Sequence, residues 1–144
     1  MKLFKSLFLM SALAVLTACG GGSSSGSTNN NDAANATPID LPSVQTGNVS
    51  ETGDDVDVFK ITVPETGNLI LELTGPDSET VDLDLGLYID DTHSVAVSGD
   101  SGSYEEITEY ITSPGIYYVA VIAFEGAGDY SLSLVFAADS AQLQ

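Results

Sequence analysis

Arginine is absent from this 144-residue chain, lysine occurs only at Lys2, Lys5 and Lys60, and there is one histidine and one cysteine. Each scarcity removes a class of function. With 21 Asp and Glu the formal charge is −18 at pH 7. Such a surface repels phosphate backbones and anionic lipid headgroups, so nucleic acid is not an expected partner. A single cysteine permits no internal disulfide, which leaves the folded part to its apolar core. A Ser-His-Asp arrangement would have to use His93, directly after Asp90-Asp91-Thr92 in a turn, and an exposed turn histidine is the plainer reading. No amphipathic helix pattern is present.

What is there begins with an export signal. Lys2 and Lys5 precede Leu7 to Leu16, a mostly apolar run of about ten residues, too short for a membrane span of about 20. Leu16-Thr17-Ala18-Cys19 resembles the bacterial lipobox, in which a peptidase cuts before the cysteine and the thiol is acylated. An ordinary signal peptide with a chance cysteine is the alternative. The expected organisation is a signal peptide over 1–18, a lipidated Cys19 heading a flexible tether over 19–45, a folded domain over 46–138 and a tail over 139–144. Two acyl chains suffice for stable membrane attachment. By resemblance to enterobacterial lipoprotein sorting, Gly20 after the cysteine directs the protein to the outer membrane. Cleavage removes Lys2 and Lys5, so the mature charge is 1 − 21 = −20.

Residues 20–45 are rich in Gly, Ser, Asn and Thr and cannot bury enough apolar surface to offset ordering. Ile39, Leu41 and Val44 interrupt them and offer side chains that could dock on the domain. From Gly47 the pattern changes to short alternating runs separated by turn residues. Phe59, Ile61 and Val63 share one face, as do Leu69, Leu71 and Leu73, and then Val81, Leu83, Leu85, Leu87 and Ile89. A short run over 94–98 follows. Over 104–111 the alternation is broken, with Ile107, Glu109 and Ile111 on one side and Tyr104 and Tyr110 on the other, which predicts a bulge or kink. Seven strands, or eight with 47–50, make an all-β, antiparallel β-sandwich the expected fold.

Gly115 to Phe136 reads as a β-hairpin with its loop over 125–128. In that register Tyr117, Val119, Val121 and Ala123 face the core with Tyr130, Leu132, Leu134 and Phe136. Tyr118, Ile122 and Phe124 then form an apolar stripe on the solvent side, a candidate binding surface. The alternative is that a neighbouring strand, or Ile39, Leu41 and Val44, covers it.

The pieces GNVSETGDDVDVFKITVPETGNLILEL, VDLDLGLYI, EEITEYITSPGIYYVAV and GDYSLSL, in this order over 47–135, resemble the bacterial pre-peptidase C-terminal domain. The resemblance implies a jelly-roll-like sandwich similar to the collagen-binding domains of clostridial collagenases, and a non-catalytic role beside secreted peptidases. No peptidase precedes the domain here. In the related collagen-binding domains calcium is held by acids of the N-terminal segment and the start of the first long strand. That maps loosely onto Asp54, Asp55 and Asp57, with Glu51 crowding the same turn; a solvated acidic turn is the alternative. No EF-hand register exists. Asp82 and Asp84 point the same way on one strand, but among 21 acids such pairs arise by chance. The expected function is a lipid-anchored, non-catalytic envelope module that binds an extracellular protein or polysaccharide. The alternative is an accessory or chaperone-like stabiliser of a secreted peptidase.

Overall fold

The computed structural model describes residues 30–139. The signal segment, Cys19 and the tail beyond 139 lie outside them. Nine strands occur among the described residues: β1 (Thr37–Pro38), β2 (Ser43–Ser50), β3 (Val56–Val63), β4 (Gly67–Thr74), β5 (Asp82–Asp90), β6 (His93–Ser98), β7 (Tyr104–Ile111), β8 (Gly115–Glu125) and β9 (Ala127–Ala138). There is no helix among the described residues.

The strands form two sheets, ordered β1-β3-β8-β5-β6 and β2-β9-β4-β7. Four of the pairings, β2·β9, β3·β8, β4·β7 and β5·β6, are those of one long antiparallel hairpin paired from its ends to its tip. Rolling that hairpin adds β4·β9 and β5·β8, which converts it into two facing sheets. This is jelly-roll topology. The two-residue β1, parallel to β3, is the exception to antiparallel pairing.

The alternating runs meet between the sheets. Leu69, Leu71, Leu73, Leu132 and Leu134 from one sheet face Ile61, Leu83, Leu85, Leu87, Val119 and Val121 from the other. At about 25 cal/mol per Å² of apolar surface, burial of this kind is the main term stabilising a domain without cross-links.

The connection between β8 and β9 differs from the hairpin expectation. A single residue, Gly126, separates the two strands, fewer than the two a tight hairpin needs. The chain therefore turns a corner from one sheet into the other. Gly126 has φ of 74°, and a side chain there would meet the Thr80 carbonyl at 2.3 Å, so glycine is required. Tyr117, Val119, Val121, Ala123, Tyr130, Leu132 and Leu134 are still the buried residues, because they face one another across the sandwich instead of side by side. Phe136 is only partly buried.

Two other expectations change. Residues 30–45 are not a tether but part of the domain: Asn30 is buried, β1 pairs with β3, and β2 pairs with β9 along its whole length. The bulge predicted over 104–111 is absent, since β7 keeps an uninterrupted register with β4. The irregularities fall in β5, after Leu87 against β6 and after Asp82 against β8. The odd pattern of β7 has another cause, which is a glutamate, Glu105, facing inward on a regular strand.

Candidate functional site

The four acids singled out as calcium ligands sit around the β2–β3 turn, but their carboxylates go to different places. Glu51 closes on the sheet-to-sheet corner: its carboxylate accepts from the Gly126 N–H at 3.1 Å and its own N–H donates to the Gly126 carbonyl at 2.8 Å. Asp57 is on the inner parity of β3, where it accepts a 2.6 Å hydrogen bond from the Tyr130 hydroxyl of the opposite sheet. Tyr130 can reach it because its ring lies over Gly47, where a Cβ would come within 2.5 Å of the hydroxyl. Burial pushes the Asp57 carboxyl above the ordinary range, the Tyr130 hydrogen bond opposes this, and the Asp54 charge adds to it. Burial and the Asp57 carboxylate push the Tyr130 hydroxyl well above the ordinary phenol. Asp55 is exposed, and its carbonyl accepts from the Ala123 N–H. Among the described residues no group of three or more His, Cys, Asp or Glu could hold a metal ion. As a four-carboxylate calcium cage the turn does not fit, because the Glu51 carboxylate closes on the Gly126 corner.

Tyr118, Ile122 and Phe124 are all half-buried on the outer face of the five-stranded sheet. Tyr118 and Ile122 pack with Tyr88 and Ala36 around a second small cluster of Val56, Val58 and Ala120. The cover comes from the N-terminal segment, and from residues that the sequence reading did not nominate. The Asn30 carbonyl accepts from the Val58 N–H at 2.7 Å, the Ala33 N–H donates to the Asp91 carboxylate at 2.8 Å, and the Ile39 N–H donates to the Lys60 carbonyl at 3.0 Å. Asp91 lies at the far end of β5, so the segment leaves β3, reaches the β5–β6 turn and returns to pair as β1. Ile39 and Leu41 pack on the edge of the main core instead, and Val44 is 65% exposed. Tyr88 was missed because its strand reads as an ordinary alternating run; its ring lies across Gly86, whose missing side chain makes the room.

The remaining candidates for chemistry have structural work. His93 Nδ1 lies 2.8 Å from the Asp90 carboxylate, which also accepts from the N–H groups of Thr92 and His93. These bonds hold the Asp90 carboxyl well below the usual range and close the exposed β5–β6 turn. Asp82 accepts from the Gly102 N–H at 3.0 Å, and the irregularity after it separates its pairing from that of Asp84. Glu105 is 1% exposed; its Oε2 accepts from the Ser98 hydroxyl, while Oε1 is buried with no hydrogen-bond partner. Burial pushes its carboxyl up. A shallow groove of ≈ 370 Å³, lined by Ile39 to Pro42, Thr62, Pro64 and Phe136, offers one carboxylate, Asp40.

Residues 55–123 match the family model of the bacterial pre-peptidase C-terminal domain. Over those residues the chain is similar to the domain of this family. The matched span runs from the β2–β3 turn to the inner face of β8, and includes both β3 and the Asp-Leu-Asp-Leu strand. The pre-peptidase C-terminal domain of collagenase from Bacillus anthracis superposes with a TM-score of 0.57 at 25% identity, covering 69% of this chain and 93% of that one. A periplasmic inhibitor of g-type lysozyme from Aeromonas hydrophila is similar at a TM-score of 0.48 and 11% identity, over 71% of this chain and 97% of that one. The carbohydrate-binding module CBM36, solved with calcium and xylotriose, gives 0.38 and 12%, over 67% and 94%. These last two likenesses carry no argument about function. No curated protein sequence matches the chain.

Proposed function

We propose that this protein is a lipid-anchored accessory module of the bacterial outer membrane, held by an acylated Cys19, that contacts an extracellular protein or polysaccharide. The observation that carries this reading is a pre-peptidase C-terminal domain following a lipobox-like Leu16-Thr17-Ala18-Cys19 in one short chain. Because the domain already includes Asn30, the ten residues 20–29 lie between its first described residue and the cysteine. That link reaches no more than about 40 Å even when extended. The module therefore works close to the lipid surface. Palmitate labelling and membrane fractionation of wild type against Cys19→Ser test the anchor: label and membrane association lost together support it, and an unlabelled wild type ends it. Crosslinking in intact envelopes then separates the partners, with a peptidase as the main product favouring the stabiliser role.

Calcium enters this reading through two acids instead of four. Asp54 and Asp57 are close enough for their charges to interact, and Asn30 hydrogen-bonds Asp57. The next residue, Asn31, has its side-chain oxygen buried without a hydrogen-bond partner. Two carboxylates and amide oxygens are the hard donors calcium takes. A melting temperature that rises in millimolar calcium relative to chelator, and does not in Asp54→Asn, supports this; an unchanged wild type removes it.

A further inference from the structure

Among the described residues, the outer face of the four-stranded sheet has no cover of the kind that the N-terminal segment gives the other sheet, and its side chains are specific in kind. Glu72 of β4 and Glu106 of β7 are directly opposite each other in the register. Like charges so placed destabilise a sheet unless something positive joins them. The two basic side chains among the described residues are elsewhere: Lys60 is on β3 and His93 on β6, both in the other sheet. Tyr104 and Tyr110, 61% and 47% exposed, flank the pair on the same face of β7. Six residues of strand place them about 20 Å apart. Thr108, between them, donates to the Glu106 carboxylate at 3.3 Å and Tyr110 donates to Asp139, so both are set in place.

β7 is also an edge. Among the described residues it pairs with β4 on one side and with no strand on the other. Over Glu106 to Ile111 it is regular and free of proline, and half of its N–H and C=O groups point away from β4. An edge of this kind accepts an added strand, with main-chain bonds supplying affinity and alternate side chains supplying selectivity. We propose that β7 is a docking edge for an extended, lysine- or arginine-bearing segment of another protein. The added strand pairs with β7, its cationic side chains meet Glu106 and Glu72, and its flanking cations lie over the Tyr104 and Tyr110 rings. Charge decides the occupant: a second copy of this chain would bring another row of glutamates against the first. The proposal does not depend on the lipid anchor, nor on the face that carries Tyr118.

The test uses the mature full chain without its acyl groups and a blocked eight-residue peptide of alternating Lys and Val, followed by fluorescence anisotropy. Binding is expected, weakened about tenfold in Glu72→Gln/Glu106→Gln and several-fold in Tyr104→Ala. A control, Glu65→Gln/Asp77→Asn, removes two charges from turns and is expected to bind as wild type. A peptide of the same charge with N-methylated amides, which cannot add as a strand, is expected to lose binding. Equal weakening in the control, or equal binding of the methylated peptide, overturns the proposal in favour of general attraction to an acidic protein. So does concentration-dependent dimerisation that Thr108→Lys abolishes, which identifies a second copy as the occupant. Binding of a neutral xylan in place of the peptide, lost in Tyr104→Ala, would make the face a glycan platform.

Discussion

The outer faces of the two sheets are built from the same alternation and have opposite fates. On the five-stranded sheet Val56, Val58 and Ala120 are buried, with Tyr88, Tyr118 and Ile122 packed around them beneath the N-terminal segment. On the four-stranded sheet Val44, Val135, Tyr104 and Tyr110 are exposed. One sandwich thus has a three-layer side and a two-layer side. A strand's alternation records which side chains point away from the main core, and says nothing about what lies beyond them.

The contrast can be broken most forcefully by charge. Val58→Asp places an unpaired carboxylate in the second cluster, where Val58 is 7% exposed, and is expected to cost about 3–5 kcal/mol. Val135→Asp, at 42% exposure on the other sheet, is expected to stay within about 0.5 kcal/mol. Urea melts of both variants measure this directly, and equal losses would show that the N-terminal segment does not cover its sheet. Next in size is Tyr118→Ala with Ile122→Ser. These side chains are half-buried in the second cluster, so the pair is expected to cost about 2–3 kcal/mol, whereas Tyr104→Ala with Tyr110→Ala costs about 1 kcal/mol or less. A Tyr118/Ile122 variant as stable as wild type would restore that stripe as a free surface.

The smallest effect sharpens the comparison inside the sandwich, where β7 carries its one fully buried acid. Burial raises the Glu105 carboxyl above the ordinary carboxylate range in the folded protein, so the folded state holds its proton more tightly than the unfolded chain. The stabilisation this provides is present at acid pH and is lost as pH climbs from the unfolded value through the folded one. Glu105→Gln removes that loss. Its melting temperature is expected to exceed that of wild type by about 5 °C at pH 7, with the gap closing near pH 4. A gap independent of pH would mean that the Glu105 carboxyl titrates alike in the folded and unfolded chain, so that burial does not govern the site.

The strands themselves were legible. Phe59, Ile61 and Val63, the three leucines of β4 and the leucines of β5 all lie on the faces that their alternation indicates, because a half-buried strand has a period of two whatever its partners. The inner residues of β8 and β9 were legible for the same reason, although the hairpin drawn between them does not exist. Parity survives a wrong pairing; the pairing itself hangs on one glycine and on where the chain goes next. The acids illustrate the opposite case. Glu51, Asp54, Asp55 and Asp57 look alike in a row, yet one grips a corner, one meets a tyrosine of the other sheet and one is exposed. The partners that separate them, Gly126 and Tyr130, are more than 70 residues away.

Composition and alternation were enough to establish an acidic, cross-link-free all-β domain and its core-facing residues, because those properties are local and periodic, while the order of its motif pieces carried the resemblance to pre-peptidase C-terminal domains. Which outer face is covered, which acid is buried and which strand is left as an edge came from the fold alone. Each depends on a long-range contact: the Asn30 to Ala36 segment across the five-stranded sheet, Ser98 against Glu105, and the rolling of one hairpin that leaves β7 with a single neighbour.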